Sequence, residues 1–150
     1  MRTKYLTMTA AAILLSSCGT DTRGWPKLEF PFGSSEVKEI KYSFDVAYKL
    51  TRDQQDPRTT KEGITNSKDT ITRIFSYTAA YSVKPKKADD IETNKYYVKC
   101  ILEFVLEETS LIYSFYGYNP EYGKILLPTG EILQAIQDFS LYCEILLSER

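Results

Sequence analysis

The strongest constraint on this chain is a two-residue apolar period that returns in four separate stretches. Tyr42, Phe44, Val46, Tyr48 and Leu50 alternate with Ser43, Asp45, Ala47 and Lys49. The clearest run puts Tyr96, Val98, Cys100, Leu102, Phe104 and Leu106 on one side, with Lys99, Glu103 and Glu107 on the other. Successive side chains of a strand point to opposite faces, so this spacing predicts half-buried strands. Ile71, Phe75, Tyr77, Ala79, Tyr81 and Val83 give another stretch, and Leu111, Tyr113 and Phe115 alternating with Ser114 and Tyr116 give the last. The strands at 96–106 and 111–116 are expected to form a hairpin after Glu108-Thr109.

The C-terminal part reads two ways. Pro128-Thr129-Gly130 breaks the chain, Thr129 suits a helix cap, and Ile132, Leu133 and Ile136 fit one helical face. Continuing that helix to residue 147 sets Leu141 and Ile145 on its polar side, beside Gln134 and Asp138. As a strand, Phe139, Leu141, Cys143, Ile145 and Leu147 alternate with Ser140, Tyr142 and Glu144. A short helix near 130–137 followed by a final strand is favoured, with a continuous helix as the alternative. The expected fold is mainly β, an antiparallel sheet of about five strands, with α+β as the other class open. Each strand has one apolar face, so the sheet must curl into a small barrel or take the helix as cover.

Residues 1–17 do not belong to that domain. Arg2 and Lys4 precede a mostly apolar stretch from Tyr5 to Leu15, too short to cross about 30 Å of hydrocarbon as a helix. Small residues and a cysteine follow, which is the three-part shape of a secretory signal. Leu15-Ser16-Ser17-Cys18 resembles the lipobox of bacterial lipoproteins. The resemblance covers the leader alone and implies cleavage after Ser17, diacylglycerol on the Cys18 thiol and acylation of the new amino group. Two or three acyl chains hold a protein firmly at a bilayer, where one does not. Gly19, in place of an aspartate after the cysteine, implies the outer membrane, facing the periplasm, in a Gram-negative cell.

Residues 18–35 then read as the lipidated cysteine and a tether rich in Gly, Pro, Ser and Thr, able to extend about 55 Å. Trp25, Phe30 and Phe32 interrupt it, and are expected to pin it to the domain at 36–150, with a membrane-interface contact as the alternative.

Composition removes several functions. The leader holds two of the 19 basic residues and none of the 20 acidic ones, so the remainder carries a formal charge of about −3. A nucleic-acid binder needs a basic face to neutralise phosphates, so none is expected. The chain has no histidine, which rules out Ser-His-Asp and Cys-His machinery. No zinc or calcium pattern and no Gly-rich phosphate loop is present, Gly117 and Gly123 reading as turn residues; no metal or cofactor is expected. Acid–base work would fall to Asp89, Asp90 and Glu92 or to Glu103, Glu107 and Glu108, groups that solvated loops and strand faces also explain.

Cys100 and Cys143 remain after Cys18. Both lie on apolar strand sides, and an oxidising compartment predicts a disulfide between them; two separate buried thiols are the alternative. Three segments are binding candidates: the long polar connection 51–69, the charged run 84–94, and the turn Tyr116-Gly117-Tyr118-Asn119-Pro120-Glu121-Tyr122-Gly123. Tyrosine offers large contact area at low entropic cost, so Tyr116, Tyr118 and Tyr122 are the partner-binding candidates, unless the rings cover the sheet's own edge.

In size, anchor and missing chemistry the chain looks like the inhibitor and immunity lipoproteins of the envelope. A non-catalytic protein-binding module with a periplasmic partner is the leading expectation. An assembly accessory of an envelope complex comes second, and a carboxylate hydrolase third.

Overall fold

The computed structural model describes residues 25–46, 59–79, 82–87, 91, 96–119 and 122–149, and the side chains of all of these but 85–87 and 119. The leader with Cys18, the acidic group at Asp89, Asp90 and Glu92, and the segment 51–58 lie outside the described residues.

Seven strands form one antiparallel sheet: β1 (Glu39–Val46), β2 (Thr59–Thr65), β3 (Ser82–Lys87), β4 (Val98–Val105), β5 (Ser110–Asn119), β6 (Tyr122–Leu126) and β7 (Ile132–Ile136). Their spatial order is β2-β1-β4-β5-β6-β7-β3. Helices α1 (Lys68–Thr78) and α2 (Ser140–Leu147) pack on one face. The architecture is mainly β, with helices as cover rather than a closed barrel.

The register turns the alternation into rows. Phe44, Cys100, Phe115, Ile125 and Leu133 are cross-strand partners in sequence across five strands, all on the covered face. The β4–β5 hairpin forms as expected: Val105 pairs with Ser110, and the Leu106 amide donates to Thr109 O at 2.8 Å. A neighbouring row runs Val98, Gly117, Gly123 and Ala135. The two glycines, expected in turns, are strand residues that leave room for the Phe139 ring. A Cβ on Gly123 would come within 2.5 Å of Phe139 Cε2 and 2.7 Å of Tyr116 O.

Four expectations are corrected. The stretch Ile71–Val83 is not one strand but α1 followed by β3. Thr70, Ile71, Ile74 and Thr78 are buried at helical spacing, and Ser67 caps the helix by accepting from the Thr70 amide at 3.2 Å. The helix expected near 130–137 is strand β7, because Thr129 and Gly130 belong to a hairpin turn. Gly130 has φ +94° and donates to Leu127 O at 2.9 Å, and Thr129 Oγ1 accepts from the Glu131 amide.

The strand expected after residue 138 is helix α2. Asp138 Oδ1 accepts from the Ser140 amide at 2.9 Å, and Tyr142, Cys143, Ile145 and Leu146 are buried. A helix sunk into a core is apolar on more than one side, so Ile145 does not mark a polar face. The polar connection 51–69 is not all loop, since 59–65 is edge strand β2.

The core is aromatic. Phe104 is fully buried and meets Phe30, Phe32, Phe75 and Tyr113 at centroid distances of 4.7, 5.2, 5.9 and 5.7 Å. Buried Phe32 and half-buried Phe30 therefore reach in from the N-terminal segment and fasten it to the domain; Trp25 is half-buried. The same segment blunts the β3 edge: Lys27 bridges Ser82, and the Val83 amide donates to Pro26 O at 2.9 Å. At the other end, the Glu149 carboxylate accepts from the Thr65 and Thr70 hydroxyls, tying the end of α2 to the start of α1.

Candidate functional site

Helices and the N-terminal segment occupy one face of the sheet; no described element covers the other. Its composition is not that of a plain solvated face. Ser114 is only 8% exposed although it points outward. Its cross-strand partners are Ile101 and Leu126, Leu126 pairs in turn with Ile132, and Ile112 is the next outward residue on its own strand. Such neighbours lie about 5 Å away directly and 7–8 Å diagonally, so Ile101, Leu126 and Ile112 border the serine and Ile132 extends the apolar patch one strand beyond Leu126. Ile112 is 48% exposed at that patch, and Ile136 and Ile64 lie bare nearer the sheet's two edges.

One register step along lies a row of rings and amines. Asp45, Lys99, Tyr116, Lys124 and Gln134 are cross-strand partners from β1 to β7. The Lys99 amine lies 5.7 Å over the Tyr116 ring and the Lys124 amine 5.9 Å over the Tyr118 ring. Tyr118 packs on Tyr122 at 5.8 Å, and the Gln134 amide donates to the Tyr122 hydroxyl at 2.9 Å. Tyr96 does not continue the buried side of β4 as its spacing suggests. It crosses to the outward row, donates its hydroxyl to Asp45 Oδ2 at 2.9 Å, and meets Tyr116 edge-on at 6.1 Å.

Tyr118 and Tyr122 thus come together, while Tyr116 is buried at 7% exposure and packs with Tyr96 and Lys99; all three lie on the central strands β5 and β6 and not at a sheet edge. Sequence reading missed Lys99, Lys124, Gln134 and Tyr96, whose positions depend on register. The signal for the apolar patch was present as isoleucines at outward positions of otherwise alternating strands.

The face is electrically divided. Strands β5, β6, β7 and β3 contain no Asp or Glu, and Lys124 on β6 and Lys84 on β3 are their charged residues with described side chains. Strands β1, β2 and β4 mix both signs here, with Glu39, Asp45, Glu62 and Glu103 among Lys41 and Lys99, while Lys61 pairs with Phe44 on the other side, its amine over the Tyr42 ring. Tyr96, Asp45, Thr60, Glu62 and Lys99 line a shallow groove of about 440 Å³ on this mixed side.

The remaining candidates are scattered. Glu103 accepts from Ser110 Oγ at 2.8 Å on the strand surface, and Glu107 pairs with Lys38 at 3.1 Å in the turn region. Among the described residues no group of three His, Cys, Asp or Glu side chains is placed to hold a metal. Cys100 and Cys143, in contrast, are brought together: both are fully buried free thiols, neighbours across the α2–β4 contact. The expected bridge is not formed here. Burial first, then the neighbouring Cys143 thiol, push the Cys100 thiol well above the usual range.

No protein-family model, curated protein or solved structure matches the chain. Among the described residues no helix is long and apolar enough to cross a membrane.

Proposed function

We propose that this chain is an envelope lipoprotein, anchored through Cys18, whose β domain is a non-catalytic module that binds a protein partner on the open face of its sheet. The observation that carries the reading is the apolar patch around Ser114, flanked by the Tyr116–Tyr118–Tyr122 and Lys99–Lys124 row. Exposed apolar area rimmed by polar groups marks interaction sites, and tyrosine is enriched in them. The carboxylate-free half of the face supports a partner whose contacting surface is acidic around an apolar centre. The leader supports the anchor, and the absence of histidine from the sequence favours a binder over an enzyme. An inhibitor or immunity role, blocking a toxin or a wall-degrading enzyme, is the form this function takes in the proposal.

The test is capture from envelope extract with the full chain and two variants, Ile112→Arg on the open face and Glu144→Lys on the helical side. One identified protein with an acidic surface should be retained by wild type and Glu144→Lys and lost with Ile112→Arg. Equal retention by all three refutes the docking face. Binding to phosphatidylglycerol vesicles in its place, abolished by Ile112→Arg, would make the face a membrane contact. A partner belonging to a resident envelope machine would make the protein an assembly accessory. Intact mass of the native protein tests the anchor separately: an unmodified Cys18 or an uncut leader removes it.

A further inference from the structure

We propose that Cys100 and Cys143 are a built disulfide site, and that oxidation joins them and locks α2 onto the centre of the sheet. The inference is independent of the docking face. Cys100 lies in the middle of β4, on the covered side, with Phe44 and Phe115 as its cross-strand partners. Cys143 follows Tyr142 on α2, and the Tyr142 ring sits on Phe115 at 4.7 Å and on Tyr77 at 5.4 Å. The Tyr142 hydroxyl also shares a 2.5 Å hydrogen bond with Thr78 Oγ1 of α1. These contacts fix the rotation of α2 so that its next residue faces β4. Two side chains remote in sequence are thereby brought into thiol–thiol contact, both at 0% exposure.

The chemistry closes without a third group from the protein. One thiol, as its thiolate, attacks a small-molecule or protein disulfide and displaces one thiol from it. The second thiolate attacks the mixed disulfide and displaces the other. The Sγ–Sγ bond forms and the acceptor's S–S bond breaks, and the two electrons and, through solvent, the two protons of the cysteines pass to the displaced sulfurs, which leave as two thiols. A buried thiol held protonated is a poor attacker, so the exchange belongs to folding, or to moments when α2 lifts from the sheet, and not to the closed fold.

The test is refolding of the reduced full chain in oxidised glutathione. Free thiols are then alkylated under denaturing conditions, and intact mass and non-reducing peptide mapping follow. A Cys100–Cys143 bridge within one chain is expected. Closing a loop of roughly forty residues should raise the folding equilibrium constant roughly thirty- to a thousandfold, and dithiothreitol should return it. The comparison uses one chain in two redox states, so it does not depend on whether a variant folds. Cys143→Ala should form no bridge to Cys100 and show no gain in stability in oxidised glutathione. Two alkylatable thiols at 100 and 143 after refolding overturn the proposal, as does a bridge formed through Cys18, or a bridge with no gain in stability.

Discussion

The two faces of this sheet are built from the same strands and do different things with apolar side chains. On the covered face, Phe104, Phe115, Tyr113 and Leu102 are sealed under α1, α2 and the N-terminal segment. On the open face, Ile112, Ile64 and Ile136 stand in the described surface with exposures of 48%, 60% and 41%. Apolar residues on a covered face are explained by folding. On an open face they give little back to stability, and where they cluster they are the feature on which the proposed docking face rests. The face that contributes least to the fold is therefore the one to read for function.

The sharpest way to break this contrast is to truncate one residue on each side. Phe104→Ala should destabilise by about 3–5 kcal/mol, since it empties a closed aromatic cluster, whereas Ile112→Ala should cost under about 1 kcal/mol in the same urea titration. Comparable losses would mean that Ile112 is covered in solution. Gly123→Ala comes next. Its new methyl group would strike Phe139 and the Tyr116 carbonyl, and a loss of about 1–3 kcal/mol is expected, with little effect from Gly130→Ala on space alone, though its positive φ adds about 1 kcal/mol.

A third measurement probes the covered face through its titration. The Cys100 pKa is raised in the fold, so the reduced protein keeps its thiol neutral while the unfolded chain ionises. Stability is thus intact below the unfolded value near 9 and falls as pH rises above it, by up to about 1.4 kcal/mol per unit. Subtracting the profile of Cys100→Ala should remove that component; identical slopes would show that the thiol is not shielded. The smallest effect belongs to the surface pair Lys38–Glu107, both partners more than half exposed: Glu107→Ala should change stability by less than about 0.5 kcal/mol, and still less in high salt.

The parts of the fold legible in the sequence were those where one residue in two is buried. Strands β1 and β4 alternate because one side meets the helices and the other does not, whereas β5 alternates in its apolar pattern although Tyr113 to Gly117 are all buried. Edge strand β2 was hidden, since TTKEGIT buries only Thr65 and so carries no apolar period. In α1, Ile71, Phe75 and Tyr77 mimic a strand when Ile74 is overlooked, and the decisive sign was the Ser67 cap. Helix α2 escaped because it is buried too deeply to look amphipathic. At the candidate site the three tyrosines were visible as a cluster, but their lysine and glutamine neighbours come from strands whose register no local pattern encodes.

The fastening of Pro26–Phe32 to the β3 edge and the aromatic core sets a limit on travel. Were the whole of 19–35 free, a bilayer-bound Cys18 would let the domain roam some tens of ångströms. With the seam at Pro26 closed, the proposed anchor at Cys18 would be separated from it by the seven residues 19–25, which span at most about 25 Å. Under the proposed anchor, a domain moored that short would patrol a thin layer above the lipid surface, and a partner would have to arrive at the membrane to be met.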